Sequence, residues 1–164
     1  KQCRVLIGGY GMGFTLRAAL AGLGADAQIV VAELVPAVIA WAKGPMAQMT
    51  GDSLSDPRVR IHEGDVRDVI ASARGSFDAI LLDTDNGPDG MLMSENSPLY
   101  STRGIESTVA ALRTGGTIGY WSVGDDPGFA GALRGARLAV TTLQVRAHDT
   151  AGPMHTLYMA TTRG

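Results

Sequence analysis

The apolar run Val5-Leu6-Ile7 passes directly into a glycine cluster, with Gly9, Gly11 and Gly13 at alternate positions. A helical pattern follows at once: Leu16, Ala19, Leu20 and Leu23 recur at offsets of three, four and seven. A chain that opens in this way has few folds available to it. The run reads as a buried parallel strand. The turn then aims backbone N–H groups and a helix N-terminus at one point, which is how α/β proteins hold nucleotide-like ligands. Glycine is needed there because a side chain would hold the ligand off the main chain. A tight turn without a ligand is the plainer reading of the same residues.

The alternation of strand and helix continues along the chain. Residues 27–32 predict a second strand ending at Glu33, and Pro36 suits the first turn of the next helix. Val38, Trp41 and Ala42 give that helix an apolar face, and Gly44-Pro45 ends it. Residues 46–57 form a polar connector with room for one helical turn. Residues 59–62 predict a third strand, and Asp65 caps a helix whose face carries Val66, Val69, Ile70 and Ala73. Residues 77–82 predict a fourth strand ending at Asp83.

The stretch 84–100 is irregular and rich in Asp, Asn, Gly and Pro. A loop of that length in a compact domain is often an active-site lid, and a solvated insertion is the alternative. Ser101 or Thr102 then caps a helix with Ile105, Val109 and Leu112 on its face, stopped by Gly115-Gly116. Residues 117–122 predict a fifth strand. Asp125 or Asp126 caps a further helix, with Pro127 in its first turn and Phe129, Ala132, Leu133 and Ala136 facing inward. Two strands, residues 139–146 and 155–162, close the sequence.

Composition narrows the function. The 164 residues are 45% hydrophobic and 18% charged, which suits one globular domain with its own core. A net charge of −2 gives no electrostatic case for nucleic acid. The single cysteine, Cys3, has no partner for an internal disulfide. No apolar run approaches the ~18 residues of a membrane span, and no signal peptide is recognisable, so a cytoplasmic location is expected. The residues open directly on the first core strand. Either the domain is minimal or an N-terminal portion precedes it.

The closing strands separate one fold from another. Residues 147–155 are too few for a parallel crossover, which takes about a dozen or more. The last two strands are therefore expected to run in opposite directions. This predicts an α/β, doubly wound, Rossmann-like, mostly parallel sheet with a reversed last strand. That is the fold of class I S-adenosylmethionine-dependent methyltransferases, whose last strand is slotted into the sheet in reverse.

In such sheets the ligand lies across the carboxyl ends of the strands. Glu33 ends the second strand, where a carboxylate accepts hydrogen bonds from both ribose hydroxyls. Its alternative role is to favour the dipole of the following helix. Asp65 follows the third strand as a helix cap, a role compatible with contact to an adenine edged by the backbone of Val66. Asp83 ends the fourth strand at the mouth of the long loop, where a carboxylate accepts a hydrogen bond or a proton from an attacking amine or hydroxyl. A loop cap is the alternative. The loop adds Asp85, Asp89 and Glu95, with Tyr100 closing it. An acidic mouth favours a cationic acceptor such as an amine, although Asp-Asn-Gly is also simply a good turn sequence. Asp85 and Tyr100 are the expected acceptor contacts. His62, His148 and His155 show no metal-ligand spacing, so no metal is expected. Trp41 and Trp121 are read as core or pocket wall. The dinucleotide pattern wants its third glycine three positions after the second, and that position is Phe14.

Taken together, several segments resemble the spermidine synthase family, in particular its short bacterial spermidine-synthase-like members. They are Val-Leu-Ile-Gly-Gly-Tyr-Gly-Met-Gly (5–13), Val-Ala-Glu-Leu-Val-Pro (31–36), Asp-Pro-Arg-Val (56–59) with Glu-Gly-Asp-Val (63–66), Phe-Asp-Ala-Ile-Leu-Leu-Asp (77–83) and Leu-Arg-Thr-Gly-Gly (112–116). The resemblance implies the class I methyltransferase-like fold and a cofactor-binding set of Gly9, Gly11, Gly13, Glu33, Leu34, Asp65 and Val66. Glu33 would hold the ribose, Asp65 and Val66 would edge the adenine, and Asp83 would face the reacting group. Polyamine synthases of the family usually carry Gly-Gly-Gly-Asp-Gly-Gly in the first turn. Gly11 stands here where that acid would be, which weakens the case for decarboxylated S-adenosylmethionine. The Asp-Ser-Ser-Asp-Pro pattern after Asp83 is altered to Asp83-Thr84-Asp85-Asn86-Gly87-Pro88. The family's small N-terminal β domain, which covers the amine groove, has no counterpart in residues 1–164.

The expectation is a single S-adenosylmethionine-binding domain. It would transfer an alkyl group, methyl foremost, to a small-molecule nucleophile, with Asp83 as the catalytic residue. Aminopropyl transfer from decarboxylated S-adenosylmethionine is the alternative reaction, and a non-catalytic ligand- or partner-binding protein is the alternative class. A homodimer is compatible with this reading.

Overall fold

The computed structural model describes residues 2–83, 97–146 and 154–162. Its elements are β1 (Arg4–Gly8), α1 (Phe14–Gly22), β2 (Gln28–Glu33), α2 (Pro36–Lys43), β3 (Val59–Glu63), α3 (Val66–Ser72), β4 (Phe77–Leu82), α4 (Ser97–Tyr100), α5 (Thr102–Ala111), β5 (Leu112–Ser122), α6 (Pro127–Gly135), β6 (Leu138–Arg146) and β7 (Met154–Thr162). A 3-10 turn, Ser53–Ser55, lies in the connector before β3.

The strands form one seven-stranded sheet in the order β3-β2-β1-β4-β5-β7-β6. β1 pairs in parallel with β2 and β4, β2 with β3, and β4 with β5. β7 lies between β5 and β6 and is antiparallel to both. The expected reversed strand is therefore present, and the switch point of the winding falls between β1 and β4.

Each face of the sheet has its own core. Val5 and Ile7 of β1 pack with Leu16 of α1 and with Ile39 and Ala42 of α2. Leu6, between them, belongs to the opposite cluster with Val66, Ile70, Ile105, Phe129 and Leu133. Alternate residues of a strand point to opposite faces, so a strand covered on both sides has to be apolar throughout. That is why the run 5–7 carries no polar residue.

Local chemistry fixes the helix starts. The Asp65 side chain accepts from the Arg67 amide, Ser101 from Gly104, and Asp126 from Phe129, each capping its helix. Pro127 and Pro36 occupy first turns. The helix expected to run through Leu112 ends instead at Ala111, and β5 begins at Leu112. Leu112 pairs with Phe77, the register then shifts, and pairing resumes at Ala79 with Thr117. The cause lies across the sheet. The Asp78 carboxylate accepts from the Arg4 amide at 2.8 Å and pairs with Arg113, drawing the segment after Ala111 onto the sheet.

Candidate active site

β1 ends between two carboxylates. Its register sets Gly8 opposite Ala32 on β2 and opposite Leu82 on β4. Glu33 and Asp83 are the next residues on those two strands, so they flank the glycine turn. Two main-chain bonds fasten the junction: Gly9 donates to the Ala32 carbonyl at 2.8 Å, and Asp83 donates to the Gly8 carbonyl at 2.9 Å.

The turn itself is left-handed at its three alternate glycines, with φ of +88° at Gly9, +52° at Gly11 and +72° at Gly13. Side chains disfavour that region. Gly13 is doubly constrained, because a Cβ there would lie 2.7 Å from the Tyr10 hydroxyl oxygen. Tyr10 is buried and folds over Gly13 to meet the Ser53 hydroxyl at 3.2 Å. Gly11 differs: a Cβ there would meet no atom within 4 Å, and the residue lines an open cleft.

Glu33 is 8% exposed and lies against the turn. One carboxylate oxygen accepts from the Tyr10 amide at 2.8 Å, the other from the Val35 amide at 2.9 Å. An ionised carboxylate has about four lone-pair sites, so these two bonds leave capacity for further donors. Leu34, beside it, is 52% exposed.

Asp83 accepts a hydrogen bond from the Thr15 hydroxyl at 2.8 Å. The two residues line a cleft of about 640 Å³ together with Tyr10, Gly11, Met12 and Phe14 of the turn and first helix. Val38, Trp41 and Met46 form its far wall, and Trp121 closes it from the end of β5. Trp121 is held by stacking on His155, with ring centroids 4.9 Å apart. The Arg17 guanidinium lies 4.7 Å from the centre of the Phe14 ring and donates to the Met49 carbonyl.

The sequence-predicted residues divide into three groups. Gly11 and Asp83 share the cleft, and Glu33 reaches it through Tyr10. Asp65 and Val66 stand at the start of α3 and do not line it. There Asp65 caps the helix and pairs with Arg67, whose hydrogen bond holds the carboxyl below the usual carboxylate range. Tyr100 is buried in an aromatic cluster, 5.8 Å from Tyr120 and 5.5 Å from Phe129 between ring centroids, and does not line the cleft. Asp85, Asp89 and Glu95, and likewise His148, lie outside the described residues.

Trp41 was expected on the core-facing side of its helix or in a pocket wall. It stands in the wall, 57% exposed, while Ile39 and Ala42 take the core positions. Thr15 went unnoticed in the sequence. Its signal is position: a hydroxyl in the first turn after the glycines, on the side toward the fourth strand. Among the described residues, no group of three His, Cys, Asp or Glu is placed to hold a metal ion. Nor is any helix there long and apolar enough to cross a membrane.

No protein-family model matches the chain. Among curated proteins it is similar to the polyamine aminopropyltransferases of Mycobacterium tuberculosis (strain ATCC 25618 / H37Rv) and Mycobacterium bovis (strain ATCC BAA-935 / AF2122/97). It is 34% identical to each over 117 residues, which is 70% of this chain and 21% of the relative. The chain thus spans about a fifth of the length of the curated relatives it matches.

Solved structures share the fold. A spermidine synthase in complex with the transition-state analogue AdoDATO superimposes with a TM-score of 0.74 at 20% identity, over 98% of this chain and 53% of that one. The spermidine synthase of Thermotoga maritima gives 0.74 at 21%, over 98% and 54%. Human methyltransferase-like protein 13 in complex with SAH gives 0.75 at 20%, over 99% and 73%. The chain therefore resembles the spermidine-synthase-like group, and its sheet is that of the class I methyltransferase fold.

Proposed function

We propose that this chain binds S-adenosylmethionine, or its decarboxylated form, across the carboxyl ends of β1, β2 and β4, and transfers an alkyl group to a small-molecule nucleophile. The observation that carries the reading is the shared cleft of Gly11 and Asp83, with Glu33 bonded to the main chain of the same turn. The residues fit such a donor. The exposed side of Gly11 admits close approach of a ligand to the main chain, and Glu33 retains lone pairs for ribose hydroxyls. Leu34, Asp65 and Val66 would border the adenine.

A bound donor supplies an alkyl carbon on a sulfonium, which leaves with its bonding pair retained on sulfur. Asp83 orients the acceptor's nitrogen or oxygen and takes its proton. Thr15 fixes the carboxylate for that task by occupying one of its oxygens. Positioning of this kind is worth ~7–11 kcal/mol in favourable cases.

Methyl transfer is the first reading, because Gly11 stands where polyamine synthases usually have an acid. Aminopropyl transfer is the second, favoured by the name of the curated relatives.

Thermal shift against S-adenosylmethionine, its decarboxylated form, S-adenosylhomocysteine and NAD tests the reading. A ligand at a hundredfold its Kd adds about 2.7 kcal/mol of stability. Stabilisation by the adenosyl-sulfur compounds is expected, and stabilisation by NAD alone overturns the proposal.

A further inference from the structure

Resting on that reading, we propose that Trp121, braced by His155, is the residue that recognises the positive charge of the donor: its ring adds more to the affinity for the sulfonium of S-adenosylmethionine than to that for the neutral thioether of S-adenosylhomocysteine.

Strand register places the ring. Leu82 of β4 pairs with Tyr120 of β5, so Asp83 and Trp121 follow on two parallel strand ends, about 4.8 Å apart. Leu82 and Tyr120 belong to the same core cluster. Alternation sends the next residue of each strand to the opposite face, and both Asp83 and Trp121 line the cleft there. On the proposed reading, the donor's alkyl carbon lies within reach of an acceptor held by Asp83. The sulfur one bond behind that carbon then lies beside the indole.

The ring is held from the neighbouring strand. Neither core cluster takes in Trp121 or Leu157, the residue opposite it on β7. Gly119, two residues earlier on the same strand, offers no side chain to pack against it. His155 stacks on the indole instead, with 4.9 Å between ring centroids and 27° between ring planes. β7 is bonded between β5 and β6, so the imidazole stands on a fixed platform. His155 itself does not line the cleft. It braces the indole from outside and leaves the cleft side open to a ligand.

The donor's chemistry suits such a ring. A sulfonium has no N–H or O–H, so no acceptor can hold it by a hydrogen bond. An aromatic face attracts a cation of this kind through the ring quadrupole, and tryptophan does so best. Among the described residues that line the cleft, none is a lysine or arginine, so no fixed positive charge there opposes it. Asp83 attracts the same charge, but its share persists when the ring is replaced.

Calorimetric titration of S-adenosylmethionine and S-adenosylhomocysteine, on the parent protein and on variants, tests this. Trp121→Leu should weaken S-adenosylmethionine about fivefold and S-adenosylhomocysteine by less than about twofold. Trp121→Phe should fall between parent and Trp121→Leu. Leucine and phenylalanine both keep an apolar wall, so the aromatic face is what separates them. Retained S-adenosylhomocysteine binding shows that each variant is folded. His155→Ala should reproduce part of the selective loss, and His155→Phe, which keeps a stacking ring, should restore the parent ratio. Equal losses for both compounds in Trp121→Leu, or no loss for either, overturn the proposal. A ratio indifferent to His155→Ala overturns the bracing role. If neither compound binds the parent, the donor assignment falls as well, whereas binding of both with a ratio that ignores Trp121 sinks this proposal alone.

Discussion

The backbone amide of Tyr10 donates to the carboxylate of Glu33 at 2.8 Å across 23 residues of sequence. The acid expected to hold a sugar is thus also the strut of the glycine turn, with its second oxygen on the Val35 amide. On the proposed reading, ligand affinity and the shape of the turn would depend on one side chain.

Glu33→Gln should therefore harm both. A glutamine offers one acceptor oxygen and turns an NH2 group toward a buried amide. Leaving a buried donor unsatisfied costs about 1–3 kcal/mol. Urea unfolding should record that loss, and calorimetry should record weaker S-adenosylhomocysteine binding. An affinity loss without a stability loss would show that the strut is dispensable.

The glycines of the turn are not equivalent. Gly11→Ala meets open space and carries only the left-handed strain, about 1–2 kcal/mol. Gly13→Ala adds a collision with Tyr10, and such overpacking costs a further ~1–3 kcal/mol. Thermal unfolding should rank Gly13→Ala well below Gly11→Ala. The functional ranking should be less lopsided, because a methyl group at Gly11 projects toward the cleft.

Asp83→Asn keeps the shape of the carboxylate and the bond from Thr15, but it cannot take up a proton from the acceptor. Turnover should fall roughly a hundredfold or more, the usual range for a lost general base, with S-adenosylhomocysteine affinity little changed. Labelled-alkyl transfer measures the first and calorimetry the second. Unchanged turnover removes Asp83 from the mechanism.

Tyr100→Ala should act on stability. The ring packs against Tyr120 and Phe129, and truncating a buried aromatic costs about 3–5 kcal/mol. Chemical denaturation should reveal the loss. A variant of normal stability with a raised KM would return Tyr100 to the acceptor site.

Acid titration isolates another strut. Asp56 holds the Arg58 guanidinium, which also donates to the carbonyls of Leu20 and Leu23 at the end of α1. The side-chain hydrogen bond from Arg58 lowers the Asp56 carboxyl from 3.8 to about 2. A depressed carboxyl contributes stability above its unfolded value, and the contribution is lost as pH falls through the folded one. The Tm advantage of the parent over Asp56→Asn should thus be full above pH ~4 and fade toward pH ~2. An advantage that does not change with pH over that window would refute the pairing.

Much of this architecture was legible in the residues. The strands covered on both faces announce themselves as unbroken apolar runs, as in Val5-Leu6-Ile7. Asp65, Ser101 and Asp126 mark their helix starts because a cap is a local interaction. The opposite course of the last two strands followed from the shortness of the connection 147–155. What escaped notice depends on partners distant in sequence. Leu112 belongs to a strand because Asp78 captures Arg113, its partner 35 residues later in the chain. Trp41 and Ile39 compete for the core side of α2, and their periodicity does not say which one the sheet will accept. Tyr100 looked like a loop residue because its aromatic companions, Tyr120 and Phe129, come later in the chain. Thr15 acquires meaning only once β4 lies beside β1.

The placement of β7 carries a consequence for biosynthesis. In the described sheet β6 pairs with β7 alone and not with β5. β6 emerges from the ribosome before its partner exists, and β5 meanwhile presents a bare edge toward solvent. That edge is sealed only when β7 wedges between two strands made before it. A ribosome-bound chain that has not yet reached Met154 must therefore leave the outer edge of β5 and both edges of β6 unpaired, a state in which nascent proteins are prone to edge-to-edge association.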